Sequence, residues 1–232
     1  MENTYLARIL EKTKFTQLSL DREPGIERAA LGAFAGKIKA GECHAFLVAI
    51  TKNLGMDKRR NLIIKGATKF ERYRQERSDL FSATDDEIKV EFLRDQIIEK
   101  EQSYKNGAFL SNPFHTITEP ERSTSWITGH VPISRRRQAR LHFYASLHSV
   151  DNLFNCNRRA LSHLERSTFH QNGTWSGKSP YRPDLVQKLL DIHRAYFNFI
   201  KTSERDKKTP AMRMGLANAP LKVEDIMYFK YF

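Results

Sequence analysis

Six apolar residues in succession, Ala45-Phe46-Leu47-Val48-Ala49-Ile50, bounded by His44 and Thr51, constrain the fold more than any other stretch of the chain. An unbroken run of that length suits a strand buried on both faces, because neither alternating set of side chains meets water. Ahead of it, Phe15, Leu18 and Leu20 form a short apolar run that predicts a strand ending at Asp21, followed by the turn Asp21-Arg22-Glu23-Pro24-Gly25. Ile26 to Ile38, rich in Ala and carrying Leu31 and Phe34, predicts a helix. Tyr5, Leu6, Ile9 and Leu10 predict a short amphipathic one over residues 3–12. The opening of the chain therefore follows the order helix, strand, acidic turn, helix, strand, an α/β pattern.

Between Asp57 and Arg77, and again between Thr84 and Gln102, charges of both signs alternate with apolar residues at three and four spacings, Leu62, Ile63, Ala67 and Phe70 among them. Two solvated amphipathic helices are expected there. Residues 103–123, with Gly107, Pro113 and Pro120, predict a loop with short extended pieces, and Thr124 to Val131 a strand. Residues 52–132 are expected as an insertion between core elements. Beyond Pro132, Ser134 is placed to cap a helix carrying Arg135-Arg136-Arg137, Arg140, Leu141, Tyr144 and Leu147, and Ser149 to cap a second helix from Val150 to about Arg166. Residues 169–183 predict a loop. Asp184 to Lys201 predicts a last helix with Leu185, Leu189, Ile192, Tyr196 and Phe199 inward.

A chain of 232 residues that is 40% hydrophobic buries a sizeable core as one domain, or one with an insertion. No apolar run is long enough to span a bilayer and the N-terminus lacks signal-peptide character, so a cytoplasmic, nucleoid-associated protein with no membrane partner is expected. Cys43 and Cys156 lack partners at ligand spacing and are expected to be buried free thiols. The formal charge is +12, and residues 133–232, with 18 Lys and Arg against 8 Asp and Glu, carry most of it. A polyanionic partner, if there is one, belongs to that part.

Three stretches resemble one family. Leu18-Ser19-Leu20-Asp21-Arg22-Glu23-Pro24-Gly25-Ile26 resembles the segment around the second catalytic aspartate of bacterial insertion-sequence transposases of the acidic-triad, ribonuclease-H-like type. Val150-Asp151-Asn152-Leu153-Phe154, followed by Arg158-Arg159 and by Leu164-Glu165-Arg166-Ser167-Thr168, resembles the helix that supplies their third acid. Lys208-Thr209-Pro210-Ala211-Met212-Arg213-Met214-Gly215-Leu216, after Ala195-Tyr196-Phe197-Asn198-Phe199, resembles the way many of them end.

The resemblance implies an α/β chain with a partial ribonuclease-H-like core in residues 1–51, the insertion at 52–132, a helical DNA-facing continuation at 133–202 and a tail at 203–232. It implies DNA cleavage and strand transfer with Mg²⁺ or Mn²⁺ held by Asp21 and Asp151. Glu165 is the rival third acid, since the family more often has Glu there. Such enzymes use two divalent ions held by hard oxygen ligands. The implied partners are DNA at element ends and targets, and a second copy of the chain. Arg135, Arg136, Arg137, Arg158, Arg159, Arg166 and Lys178 are the expected DNA contacts. Only twenty residues precede Asp21, too few for the strand that bears the first acid, so the chain is expected to be an inactive C-terminal part.

Plainer readings stand beside these. Asp before Pro-Gly is common in turns, Asp151 near a helix start is favoured by the dipole, and Glu165 next to Arg166 is an ordinary surface pair. Arg135 to Arg137 are most simply a solvated first turn, although cations at a helix N-terminus oppose the dipole and so suggest a phosphate partner. The histidines show no metal-site spacing, and Trp175 is expected to anchor its loop. On this reading the protein is a non-catalytic basic DNA-binding or helical interaction protein whose acids are caps and ion pairs.

Overall fold

In the computed structural model the described residues are 7–8, 10–11, 13–51, 53–100, 108–129, 132–161, 164, 168–169, 175–176 and 182–228. They fall into two compact units, Met1–Ser149 and Val150–Phe232. The first is mixed α/β. Strand β1 (Thr16–Asp21) leads through helices α1 (Pro24–Ala33) and α2 (Ala35–Lys39) to β2 (Cys43–Ala49), and the two strands pair in parallel with Asp21 opposite Val48. The single helix expected over 26–38 is broken at Phe34, whose φ of −102° and ψ of 12° leave the helical region. Its ring is buried with Ile38 and Cys43.

Two long helices follow, α3 (Met56–Glu76) and α4 (Asp85–Glu99). Thr84 starts α4 with a capping box, its side chain accepting from the Glu87 N–H and the Glu87 carboxylate accepting from the Thr84 N–H. Short strands β3 (Leu110–Ser111) and β4 (Ser123–Trp126) then join the same sheet, in the order β1-β2-β4-β3, with β4 antiparallel to β2. Two of the sheet's four strands thus come from the stretch expected as an insertion. Helix α5 (Arg135–Tyr144), capped by Ser134 as expected, closes the unit, and α6 (His148–Ala160) begins in it and continues into the second.

As the apolar run requires, β2 is covered on both faces. Phe46 and Val48 meet Trp126, Leu141, Ala145 and Leu147 on one side, while Cys43 meets Phe34 and Ile38, with Leu18 and Leu31, on the other. The edge strand β1 alternates in the same way. Leu18 faces the α1 side, whereas Gln17 and Ser19 make hydrogen bonds to residues at the end of α5 and just beyond it.

In the second unit, a two-stranded hairpin of β5 (Thr168–Phe169) and β6 (Trp175–Ser176) lies in the expected loop. It is followed by α7 (Pro183–Ala195), a π turn (Tyr196–Ile200) and the short helices α8 (Pro210–Arg213) and α9 (Val223–Met227). Of the residues expected to point inward on α7 and its π turn, Leu185, Ile192 and Tyr196 are exposed. Helical spacing reports which residues share a face and leaves open whether anything covers it. Cys43 is buried as expected, but Cys156 is only half-buried. The tail segment has a local explanation. The buried Thr209 hydroxyl accepts the Met212 N–H at 3.2 Å, Pro210 opens the turn, and Gly215, at φ 69°, ends it. Leu216 N–H then bonds Ala211 O and Gly215 N–H bonds Met212 O, a Schellman stop.

Candidate functional site

The C-terminal end of β1 is where the chain turns out of the sheet, and in α/β proteins ligands collect at that edge. Asp21 is the last residue of the strand and is exposed there; its Oδ1 accepts the Arg22 N–H at 2.8 Å. Along the same strand face, Gln17 Nε2 donates to Leu141 O at 2.7 Å and Ser19 Oγ accepts the Ser146 N–H at 3.3 Å. Asp21 is the next residue on that face.

A buried acid fixes the same junction. Glu119 is 4% exposed. Its Oε1 accepts the Ser146 hydroxyl at 2.7 Å and the Leu147 N–H at 2.8 Å, and its Oε2 pairs with Arg122 at 2.8 Å. Ser146, whose hydroxyl also accepts the His148 N–H, is thereby held between β1 and the start of α6. Asp151 lies in the first turn of α6 and is exposed. Asp21 belongs to the first unit and Asp151 to the second. Glu165, Arg166 and Lys178 lie outside the described residues.

The arginines of α5 have separate destinations. Arg135 donates to Gln138 Oε1 at 3.1 Å. Arg136 reaches back to α4, where its Nε lies 2.8 Å from the carboxylate of the buried Glu91. Arg137 lies over the Phe15 ring, 5.0 Å from its centroid, and Arg140 over Tyr144 at 6.0 Å. Three arginines in a row oppose the helix dipole; of these the Glu91 carboxylate offsets Arg136, Gln138 takes Arg135, and Arg137 rests on an aromatic face. Arg136, Arg137 and Arg140 line an open groove of about 800 Å³ between α5, the start of α4 and β1. On α6, Arg158 donates to Asn155 Oδ1 at 3.4 Å and Arg159 is exposed.

Phe15, Gln17 and Tyr144 as neighbours of the arginines, and Glu119 as the tie of the α5–α6 junction, were not among the candidates read from the sequence. The spacing of Arg137, Arg140 and Tyr144 on one helix face was visible. Phe15 and Glu119 reach the site only through the tertiary fold.

The exposed carboxylate of Asp21 is a hard oxygen donor, the kind of ligand that Mg²⁺ and Mn²⁺ take. Among the described residues no three His, Cys, Asp or Glu side chains are grouped to hold an ion. No described helix is long and apolar enough to cross a membrane. No family model matches the chain, and no characterised protein or solved structure matches it.

Proposed function

We propose that this chain is part of an insertion-sequence transposase of the acidic-triad type, that its β1–α1–β2 unit and sheet belong to a ribonuclease-H-like core, and that Asp21 and a carboxylate on the helix after α5 share divalent ions. The observation that carries the reading is the face of β1. Gln17 touches the last turn of α5 and Ser19 touches Ser146 beyond it, so the strand and the chain leading into α6 advance together toward the edge where Asp21 ends the strand. Asp151 follows in the first turn of α6, with Glu165 the rival acid further along.

In such a site the carboxylates of Asp21 and Asp151 would hold Mg²⁺ or Mn²⁺, and the ion would supply positive charge to phosphate oxygens. The protein's own contribution is to orient the acids and to grip the DNA backbone. Arg137 and Arg140 on α5, with Arg158 and Arg159 on α6, are the groups for that grip, because guanidinium forks fit phosphate oxygens. The partners on this reading are element-end and target DNA and a second copy of the chain.

A second reading has its own observation. The Oδ1 of Asp21 accepts the N–H of the next residue, as a turn aspartate does, and on that reading the protein binds DNA without catalysis. Mn²⁺ binding to the full chain, followed by electron paramagnetic resonance, separates the two. The metal reading expects Asp21→Asn and Asp151→Asn each to weaken Mn²⁺ binding by about tenfold or more, each carboxylate being a direct ligand. Asp21→Asn binding Mn²⁺ as the unaltered chain does overturns the metal site and leaves the DNA-binding reading.

A further inference from the structure

The groove beside α5 has a lining that a backbone-tracking surface does not need. Phe15 and Tyr144 stand 39% and 52% exposed at its walls. Arg137 and Arg140 lie over those two rings, and neither has a carboxylate within ion-pair distance among the described residues. Arg136, by contrast, is committed to Glu91. The facing wall is the first turn of α4, where Asp86 and Glu87 line the groove, and Val90 and Leu141 supply its apolar surface. Glu87 is engaged in the Thr84 cap, so Asp86, whose nearest cation is Lys89 at 3.7 Å, is the carboxylate that faces a ligand.

A phosphate backbone is held by cations and hydrogen-bond donors, and the exposed faces of aromatic rings are not needed for it. Rings, guanidinium groups and a carboxylate acceptor around one groove fit a ligand that is flat, anionic at one end and a hydrogen-bond donor at another. A nucleotide freed from its duplex partner has all three properties. Its base has a face to stack, its phosphate takes an arginine, and its edge carries an exocyclic amino group when it is cytosine or adenine. A volume of about 800 Å³ lies within the range of small-ligand sites.

We propose that this groove binds one unpaired nucleotide of single-stranded DNA, the base on Tyr144 or Phe15, the phosphate on Arg137 and Arg140, and the amino edge toward Asp86. The inference rests on the proposed function only in taking DNA as the partner; it requires neither the metal nor Asp21. Asp86 as acceptor makes cytosine preferred over thymine, which presents a carbonyl at the equivalent position.

The test titrates the full chain with fluorescently labelled oligo-dC and oligo-dT of about 12 nucleotides, within the site sizes of single-strand binders, and with a duplex of the same length. Expected are tighter binding of oligo-dC than of oligo-dT, a loss of about fivefold or more in single-strand affinity for Tyr144→Leu with duplex affinity changed by less than about twofold, and full retention for Tyr144→Phe. Asp86→Ala is expected to abolish the preference for oligo-dC. Equal losses for single strand and duplex in Tyr144→Leu, or unchanged single-strand binding, overturn the proposal. Competition by deoxycytidine monophosphate at the oligonucleotide's own concentration assigns the groove to a free nucleotide and overturns it as well. The Mn²⁺ titration reads neither affinity, so failure of the metal site leaves this groove standing and failure here leaves the metal site standing.

Discussion

Ser19 Oγ accepts the N–H of Ser146 across 127 residues of chain, and the buried carboxylate of Glu119 takes the hydroxyl of the same serine at 2.7 Å. Glu119 is the stronger tie, because its counter-charge among the described residues is Arg122, only 12% exposed in its side chain and 2.8 Å away. Removing one member of a buried ion pair leaves a desolvated charge behind and costs about 3–5 kcal/mol. Arg122→Met is therefore expected to destabilise by about 3 kcal/mol in urea unfolding, and the double change Glu119→Gln with Arg122→Met to recover part of that loss. A single-variant loss below about 1 kcal/mol, the size of an exposed pair, contradicts this account of the junction.

His142 sits at the other side of that junction, its Nδ1 2.8 Å from the Thr124 hydroxyl and its ring edge-on to Phe46. Burial pushes its pKa down to about 3. In the unfolded chain the imidazole takes a proton below about pH 6.5, so between those limits the unfolded state binds more protons than the native one. Stability from this group is fully present above pH 6.5 and falls as pH drops toward 3, by at most about 1.4 kcal/mol per pH unit. Urea unfolding at pH 7, 6 and 5 is expected to show a shallower decline for His142→Gln than for the unaltered chain. Parallel curves count against a neutral buried His142.

Local signals in the sequence made much of this fold legible. The apolar run of β2, the short strand ending at Asp21 and the Thr84 start of α4 each declare themselves within a few residues, and each lies close to where it was expected. What could not be read depends on contacts distant in the chain. A strand was expected at Thr124 to Val131, but that β4 pairs with β2 inside the main sheet, and not within an insertion, depends on a ladder that no local signal announces. Glu119 and His142 are polar residues buried against Ser146 and Thr124, partners that no spacing announces. At the site, the strand-end position of Asp21 and the cap at Ser134 were legible, whereas the pairing of Arg136 with Glu91 and the stacking of Arg137 on Phe15 were not.

Gly66 is a second feature that helical periodicity hides. It lies inside α3, where Ala is favoured over Gly by about 1 kcal/mol. Yet a Cβ there would meet the Pro113 carbonyl oxygen at 2.5 Å, an overlap with backbone rather than with a yielding side chain. Overpacking of that kind costs about 1–3 kcal/mol, so Gly66→Ala is expected to lower Tm by a few degrees, at about 2–4 °C per kcal/mol, in a thermal scan. A raised Tm means the loop bearing Pro113 gives way and helix propensity decides the outcome.

The α5 arginines make a prediction that depends on the proposed DNA contact and on salt. Each cation that neutralises a phosphate releases counterions, so the slope of log K against log salt concentration becomes shallower by about 0.9 when that cation is removed. Arg137→Gln and Arg140→Gln are each expected to change the slope for duplex DNA by about that amount and to leave stability nearly unaltered, since their side chains hold no carboxylate among the described residues. Arg136→Gln is expected to behave differently. Its Nε lies 2.8 Å from buried Glu91, so its loss registers mainly in urea unfolding and little in the salt slope. Equal salt slopes for all three variants and the unaltered chain place the DNA contact elsewhere, because a helix that touches phosphates cannot lose two free cations without a change in counterion release.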